Sequence, residues 1–349
     1  MDESIEKLIK KANEGLADAQ CQLAFCYLEG DRVEKSDIKA FYFFAEAAKQ
    51  NNPVAQFKLA RFYRDGIVAQ KDLEKAFKLF SLASEGGVKE ALFDLGVCYA
   101  KGEGIEVRYD LAVACFSRLA DNPDAINNLA VLYHKGLGVE QNIAKAASLY
   151  EKASKLGSFD ATFNLALLYL SGETVVASPE RAEKLLNEAL NGGVNKALCY
   201  LGKMYEEGIG VSVNTDKAYE YYKKAVDLNV LEAYPLLGNL YVSYEGYGEE
   251  DEAFALFLKS KELPESKRLI GFCYENGIGT DEDAYKAAQW YKSASDDGDV
   301  IAQYNLAECY RTGSGVPKDM NLAAYWYRRA ARQGDADSIE ALERYFENL

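Results

Sequence analysis

Residues Asn128–Val139 read NLAVLYHKGLGV, Tyr200–Val211 read YLGKMYEEGIGV and Asn305–Val316 read NLAECYRTGSGV. The tyrosine these segments share sets the step for the rest of the chain. Tyr27, Tyr63, Tyr99, Tyr133, Tyr169, Tyr205, Tyr241, Tyr274 and Tyr310 recur at intervals of 36, 36, 34, 36, 36, 36, 33 and 36 residues. Each follows a Leu or Ile by four residues. A period of roughly 20–50 residues marks a solenoid, in which every unit is one supersecondary element and stacking completes its burial. A chain of 349 residues would otherwise be read as two or more domains. The repeat removes that need, because a solenoid grows by adding neighbours and not by enlarging one core.

The sixth unit shows the physical logic. Ala197, Leu201, Gly202 and Tyr205 stand at i, i+4, i+5 and i+8, one face of a helix. The place of Gly202 is taken elsewhere by Ala24, Ala60, Gly96, Ala130, Ala166, Gly238, Gly271 and Ala307, all small enough to let a partner helix come close. Gly208-Ile209-Gly210-Val211 then breaks the helix. A second helix is expected to begin near Thr215-Asp216 with a polar cap, and to bury Ala218, Tyr221, Tyr222 and Ala225. Asn229 ends it, in a column shared with Asn51, Gly87, Gly157, Gly193, Gly298 and Gly334. Asn and Gly are the residues that accept a left-handed helix terminus. Small residues in the first helix and aromatics in the second are expected to make a knob-and-socket pair, and fully burying one such large side chain contributes ~1.5–3 kcal/mol. The recurrent tyrosine is read as an anchor as well. Tyr169→Ala is therefore expected to fray both adjoining interfaces. Residues 3–14 and 336–347 read as lone half-hairpins, which is what capping the ends requires.

The columns Ala-x3-Leu-Gly/Ala-x2-Tyr, Gly-x-Gly-Val and Lys-Ala-x2-Tyr/Trp-Tyr-x2-Ala resemble the Sel-one-like repeat (SLR) family, relatives of the tetratricopeptide repeats. The last of these patterns stands at Ala287–Ala294 and Ala323–Ala330, and the resemblance covers essentially the whole chain. It implies an all-α fold, a right-handed α/α superhelical solenoid of about nine helix-turn-helix repeats with terminal half-repeats as caps. The expected organisation is a single solenoid over 1–349, with a capping helix in 1–17 and another in 335–349. Repeats are expected at about 18–52, 53–87, 88–122, 123–157, 158–193, 194–229, 230–263, 264–298 and 299–334. The resemblance further implies a scaffold or adaptor that binds a protein or an extended peptide on its concave surface, with no catalytic residue in the repeat and no cofactor. An alternative is a cytosolic immunity protein that neutralises a basic toxin or enzyme in a tight complex. Some exported bacterial relatives pair two cysteines in each unit, whereas here only Cys21 and Cys26 share a helix.

The formal net charge of −15 opposes nucleic acid as a partner, because such binding rests on Lys and Arg neutralising phosphates. It equally opposes an anionic membrane and is compatible with basic proteins or peptides. The acidic start, Met1-Asp2-Glu3-Ser4, lacks the basic region and apolar core of a secretory signal. No run of 18 apolar residues occurs, so membrane insertion is not expected and a cytoplasmic location is. Cys26, Cys98, Cys273 and Cys309 each precede the recurrent tyrosine, where other units carry Phe62, Leu132, Leu168, Met204 and Leu240. Cysteine thus replaces large hydrophobes, as a buried reduced thiol does.

Catalytic chemistry lacks its parts. His134 is the single histidine, with no second histidine for a metal site and no Ser-His-Asp arrangement, and it reads as a surface residue at a helix end. The Gly-x-Gly-Val loops follow helices, whereas a dinucleotide fingerprint follows a strand, so they read as hairpin turns. The strongest contact set is a polar ladder on the first helices. Asn128, Asn164 and Asn305 share one column with Tyr200, Gln22, Lys58 and Asp94. An amide both donates and accepts, which suits the backbone of an extended peptide, or equally the bracing of neighbouring helices. A second set, Glu249, Glu250 and Asp251, lies in an acidic cluster with Glu245 and Glu252 and faces Asp281, Glu282 and Asp283 on the next loop. It reads either as a negative edge for a basic partner or as the acidic first turn that helices favour. The seventh unit departs from the pattern at Tyr244-Glu245-Gly246-Tyr247-Gly248, and its short step to Tyr274 reads either as a kink or special contact between the sixth and eighth units or as drift without function.

Overall fold

The computed structural model describes residues 3–172 and 177–346. Residues 173–176, in the loop of the fifth predicted repeat, and the outermost residues of both predicted caps lie outside the described residues. Two compact units are present, Met1–Ser178 and Pro179–Leu349, and the division falls inside that fifth repeat. Among the described residues all regular structure is α-helical. In the first unit α1 (Glu3–Asn13) precedes the hairpins α2 (Ala17–Glu29) with α3 (Asp37–Lys49), α4 (Pro53–Asp65) with α5 (Leu73–Glu85), α6 (Lys89–Lys101) with α7 (Tyr109–Ser117) and α8 (Pro123–Lys135) with α9 (Ile143–Lys155). The unit ends on α10 (Phe159–Ser171). In the second, α11 (Pro179–Asn191) precedes α12 (Ala197–Glu207) with α13 (Thr215–Asp227) and α14 (Ala233–Ser243) with α15 (Glu250–Lys259). Then come α16 (Pro264–Asn276) with α17 (Ala284–Asp296), α18 (Val300–Thr312) with α19 (Met320–Ala331), and α20 (Ala336–Phe346). No helix among the described residues is long and apolar enough to cross a membrane.

Each hairpin but α14–α15 is closed by the same local chemistry. The carbonyl of the recurrent tyrosine accepts the N–H of the residue that caps the second helix, as in Ser36 to Tyr27 at 2.8 Å and Asp283 to Tyr274 at 2.7 Å. Most of these caps, Ser36, Asp72, Asn142, Asn214, Asp283 and Asp319, also accept with their side chains the N–H three residues on, whereas Arg108 does not. In the sixth unit the cap is thus Asn214, one residue before the predicted Thr215-Asp216. At the far end of the hairpins, all seven predicted Asn and Gly terminators have positive φ, from 55° at Asn229 to 97° at Gly298.

The core has the expected knob-and-socket pairing, and corrects only the reading of the recurrent tyrosines as deep anchors. The recurrent tyrosines are half-buried, with only Tyr169 reaching 8 % exposure. Fully buried instead is one side chain from each second helix: Phe44, Phe80, Phe116 and Tyr150 in the first unit, and Leu186, Tyr222, Phe257, Tyr291 and Tyr327 in the second. These side chains fill the sockets left by the small residues of the first helices. A Cβ on Gly202 would stand 2.3 Å from the Tyr222 ring, and one on Gly238 would stand 2.4 Å from Phe257. The tyrosine at the loop end has a different job. Lysines of the second helices lie over the rings of Tyr27, Tyr63, Tyr133, Tyr205 and Tyr274 at 4.0–5.3 Å, a cation–π arrangement that leaves the ring edge wet.

Irregular spacing has local causes. The 34-residue step follows from α7, nine residues long where its counterparts have up to 13. In the seventh unit α14 ends on an extended Tyr244 instead of a left-handed glycine, and α15 has ten residues. Tyr247 then donates its hydroxyl to Asp216 at 2.6 Å, and its ring packs 5.3 Å from Tyr219. The predicted special contact is therefore a tyrosine clasp onto the first turns of α13.

Candidate binding face

The ladder residues lie on the first helices of their repeats, half-buried apart from the exposed Gln22 and the buried Asp94, and the structure treats them differently. Asn164 on α10 donates its amide to Asn127 on α8 at 3.0 Å, so it braces two repeats. Asn128 and Asn305 make no side-chain hydrogen bond among the described residues and keep an amide at the surface. Tyr200 on α12 is half-buried beside Cys199, and burial raises its phenol pKa. Asp94 on α6 is buried at 4 % exposure and is held by two guanidiniums of α4, Arg61 Nε and Arg64 Nη1, each at 3.1 Å. Lys58 lies over the rings of Phe25 and Phe57 at 5.2 and 5.7 Å.

The acidic set lies elsewhere, at the start of α15. Glu249, Glu250 and Asp251 are exposed and form no ion pair among the described residues. Glu252 accepts the Glu249 N–H at 3.2 Å and Asp251 accepts the Glu252 N–H at 2.9 Å, so these carboxylates serve first-turn amides. The loop carrying Asp281 and Glu282 does pack onto this turn, since a Cβ on Gly279 would meet the Glu250 carbonyl at 2.2 Å.

His134 is half-buried, not a surface residue. Its ring lies edge-on to Tyr150, 6.4 Å between centroids. The same place is taken by Glu206 and Glu275, which accept the hydroxyls of the buried Tyr222 and Tyr291 at 2.7 and 2.5 Å. Where the buried ring is phenylalanine, the place holds Leu28, Ala100 or Val242, or Arg64 stacked on Phe80 at 5.6 Å. In two hairpins the residue after the recurrent tyrosine thus serves the hydroxyl of the buried ring, whereas Tyr327 donates to Glu308, two residues before Tyr310.

All seven cysteines are buried and free. Burial pushes the thiols of Cys98, Cys199, Cys273 and Cys309 up to about 12 and that of Cys21 up to about 11. Thiols so placed are poor nucleophiles.

A family model, the Sel1 repeat, matches residues 17–52, 53–88, 89–124, 123–158, 159–194, 195–230, 264–299 and 300–335. The chain belongs to the Sel1 repeat family. Sel1 repeats generally mediate protein–protein interaction. The model leaves out the seventh unit, where α14 and α15 still form a Sel1-type hairpin with a small residue, Gly238, against a buried Phe257. Among solved structures, c5321, a protective antigen present in uropathogenic Escherichia coli strains that displays an SLR fold, is 25% identical over 96% of this chain and 76% of its own, with a TM-score of 0.69. A Sel1 repeat protein from Oxalobacter formigenes is 24% identical over 99% of this chain and 90% of its own, with a TM-score of 0.49. The immunity protein Pa5087 from Pseudomonas aeruginosa is 20% identical over 60% of this chain and 81% of its own, with a TM-score of 0.45. A search of curated protein sequences found no match.

Proposed function

We propose that the chain is a protein-interaction scaffold that holds a protein or an extended peptide segment against the first-helix face of its Sel1 repeats. The observation that carries this reading is a half-buried amide in each unit, Asn128 in the first and Asn305 in the second, at equivalent places in their repeats and with no side-chain hydrogen bond among the described residues. An amide kept at the surface offers both a donor and an acceptor to the backbone of an extended segment, which can take the place of water there. Asn164, in the same column, answers to a different need through Asn127. Glu249, Glu250 and Asp251 are a further point where a basic partner would be felt, through the speed of encounter more than the strength of binding.

The test separates these roles. A partner recovered with the tagged chain is expected to bind Asn128→Ala with Asn305→Ala roughly 10-fold or more weakly, with the melting temperature unchanged, since a lost hydrogen bond across an interface costs about 1–3 kcal/mol. Asn164→Ala is expected to lower thermal stability and leave affinity nearly intact. Unchanged affinity in the double variant would remove the proposed face. A partner with basic contacts would associate more slowly with Glu249→Lys and Glu250→Lys.

A further inference from the structure

The chain is strongly acidic, yet its first unit presents three cations together. Lys58, Arg61 and Arg64 follow one another along the outward face of α4 at i, i+3 and i+6. The buried Asp94 carboxylate, on the neighbouring α6, fixes both guanidiniums. Arg61 gives Asp94 only its Nε and keeps its side chain 43 % exposed, so its terminal amines remain open to a ligand. Its guanidinium is stacked on Phe57 at 4.6 Å. Lys58 shares that ring and also covers Phe25, and it forms no ion pair among the described residues. Arg64 divides itself between Asp94 and Asp65. On either side, Phe25 and Val97 hold the place in the first and third repeats that Arg61 holds in the second, and both are partly exposed.

We infer that this basic–aromatic island binds a carboxylate-bearing peptide segment, with two acidic side chains read by Lys58 and Arg61 and an apolar neighbour laid on Phe25 or Val97. The inference rests on the scaffold reading and adds the chemistry of the partner at one stretch of the face. Three considerations carry it. A guanidinium with its Nε already anchored and its ring face stacked has lost most of its rotamer freedom, so its remaining donors meet a carboxylate at little further entropic cost. A half-buried lysine held over aromatic rings without an internal counter-charge keeps its full charge for an anion. Charge complementarity then selects acidic over basic segments, because a like-charged group set against this island costs affinity. The island is too short for a polyphosphate backbone, and the net charge of −15 repels one along the rest of the chain.

The test is selection of phage-displayed random dodecapeptides on the full chain, followed by fluorescence anisotropy of the enriched peptides. The expected result is enrichment of two Asp or Glu residues beside an apolar one. Affinity should fall at least 10-fold in Lys58→Glu, recover in Lys58→Arg, and weaken with added salt, while the helical circular dichroism stays the same. Lys58 is the variant of choice because no internal ion pair depends on it, whereas Arg61→Glu would also disturb Asp94. Enriched peptides without acidic residues, or binding indifferent to Lys58→Glu, overturn the inference. If such peptides are lost in Asn128→Ala, the scaffold reading stands without the acidic preference. A library that yields no binder counts against both. Dimerisation of the chain that Lys58→Glu abolishes would mean that the acidic α15 turn of a second copy is the occupant, and would also overturn the inference.

Discussion

Tyr222 and Tyr205 belong to one hairpin, and each donates its hydroxyl to a glutamate, at 2.7 Å to Glu206 and 2.8 Å to Glu183. What separates them is depth. Tyr222 is fully buried over Gly202, while Tyr205 is half-buried beneath Lys217. Tyr222→Ala is therefore expected to cost ~3–5 kcal/mol, with the cavity beside Gly202 adding to the lost burial and Glu206 losing its donor. Tyr205→Ala should cost less than half as much, since its ring forfeits a surface stack and one hydrogen bond. Urea midpoints of the two variants decide the point, and equal losses would refute the assignment of depth. The sequence displayed both columns and the sockets of one, but not the difference in their depth. Periodicity reports which residues share a face, not how far that face lies from water. Tyr205 keeps its period because its carbonyl closes the hairpin at Asn214 and its ring carries a lysine, neither of which requires full burial.

Helices, loops and terminators were legible because each rests on a backbone conformation that few residues adopt. The loop glycines carried more than the sequence revealed. The first ends a helix, as at Gly277 with φ of 69°, and the second touches the preceding repeat. A Cβ on Gly279 would meet the Glu250 carbonyl, and one on Gly315 the Ala284 carbonyl at 1.9 Å. The pattern Gly-x-Gly is thus half turn and half interface, and the second half is a contact between units that spacing alone does not show. Gly298 supplies the control, with φ of 97° and nothing within 4 Å of its added Cβ. Gly279→Ala and Gly298→Ala share the left-handed penalty of ~1–2 kcal/mol. The excess cost of Gly279→Ala measures the packing of the α16–α17 loop on α15, and is expected to add ~1–3 kcal/mol, as overpacking does. Hydrogen exchange of α15 amides should rise in Gly279→Ala alone. Equal stability loss in the two variants would mean the loops do not join repeats. In the seventh unit the clasp from Tyr247 to Asp216 makes this join with a side chain, which explains how a hairpin outside the family pattern still stacks.

Across the molecule the acid–base ledger is dominated by groups buried in their neutral forms. The thiols of Cys98, Cys199, Cys273 and Cys309 ordinarily titrate near 9.0 and are pushed up to about 12 by burial. The phenols of Tyr150, Tyr222 and Tyr291 are raised from 10.0 by the same desolvation, the last two also by their glutamate partners. These shifts set the sign of the pH dependence. Below pH 9 native and unfolded chains hold the same protons on these thiols, so the groups leave stability level. Above it the unfolded chain releases protons that the native core retains, and stability falls by ~1.4 kcal/mol per thiol for each further pH unit until the folded pKa is reached. The expected outcome is a urea midpoint that is flat between pH 7 and 8.5 and drops steeply by pH 10. The thiols should react with an aromatic disulfide reagent slowly at pH 8 in buffer and at once in urea. Stacked repeats open locally before they open as a whole, so the reaction should be fastest at a cysteine near a unit's end, such as Cys21, and slowest at Cys273. Rapid native labelling of Cys273, or a midpoint that holds at pH 10, would show that the interior is not the dry, neutral stack on which the first-helix face depends for its rigidity.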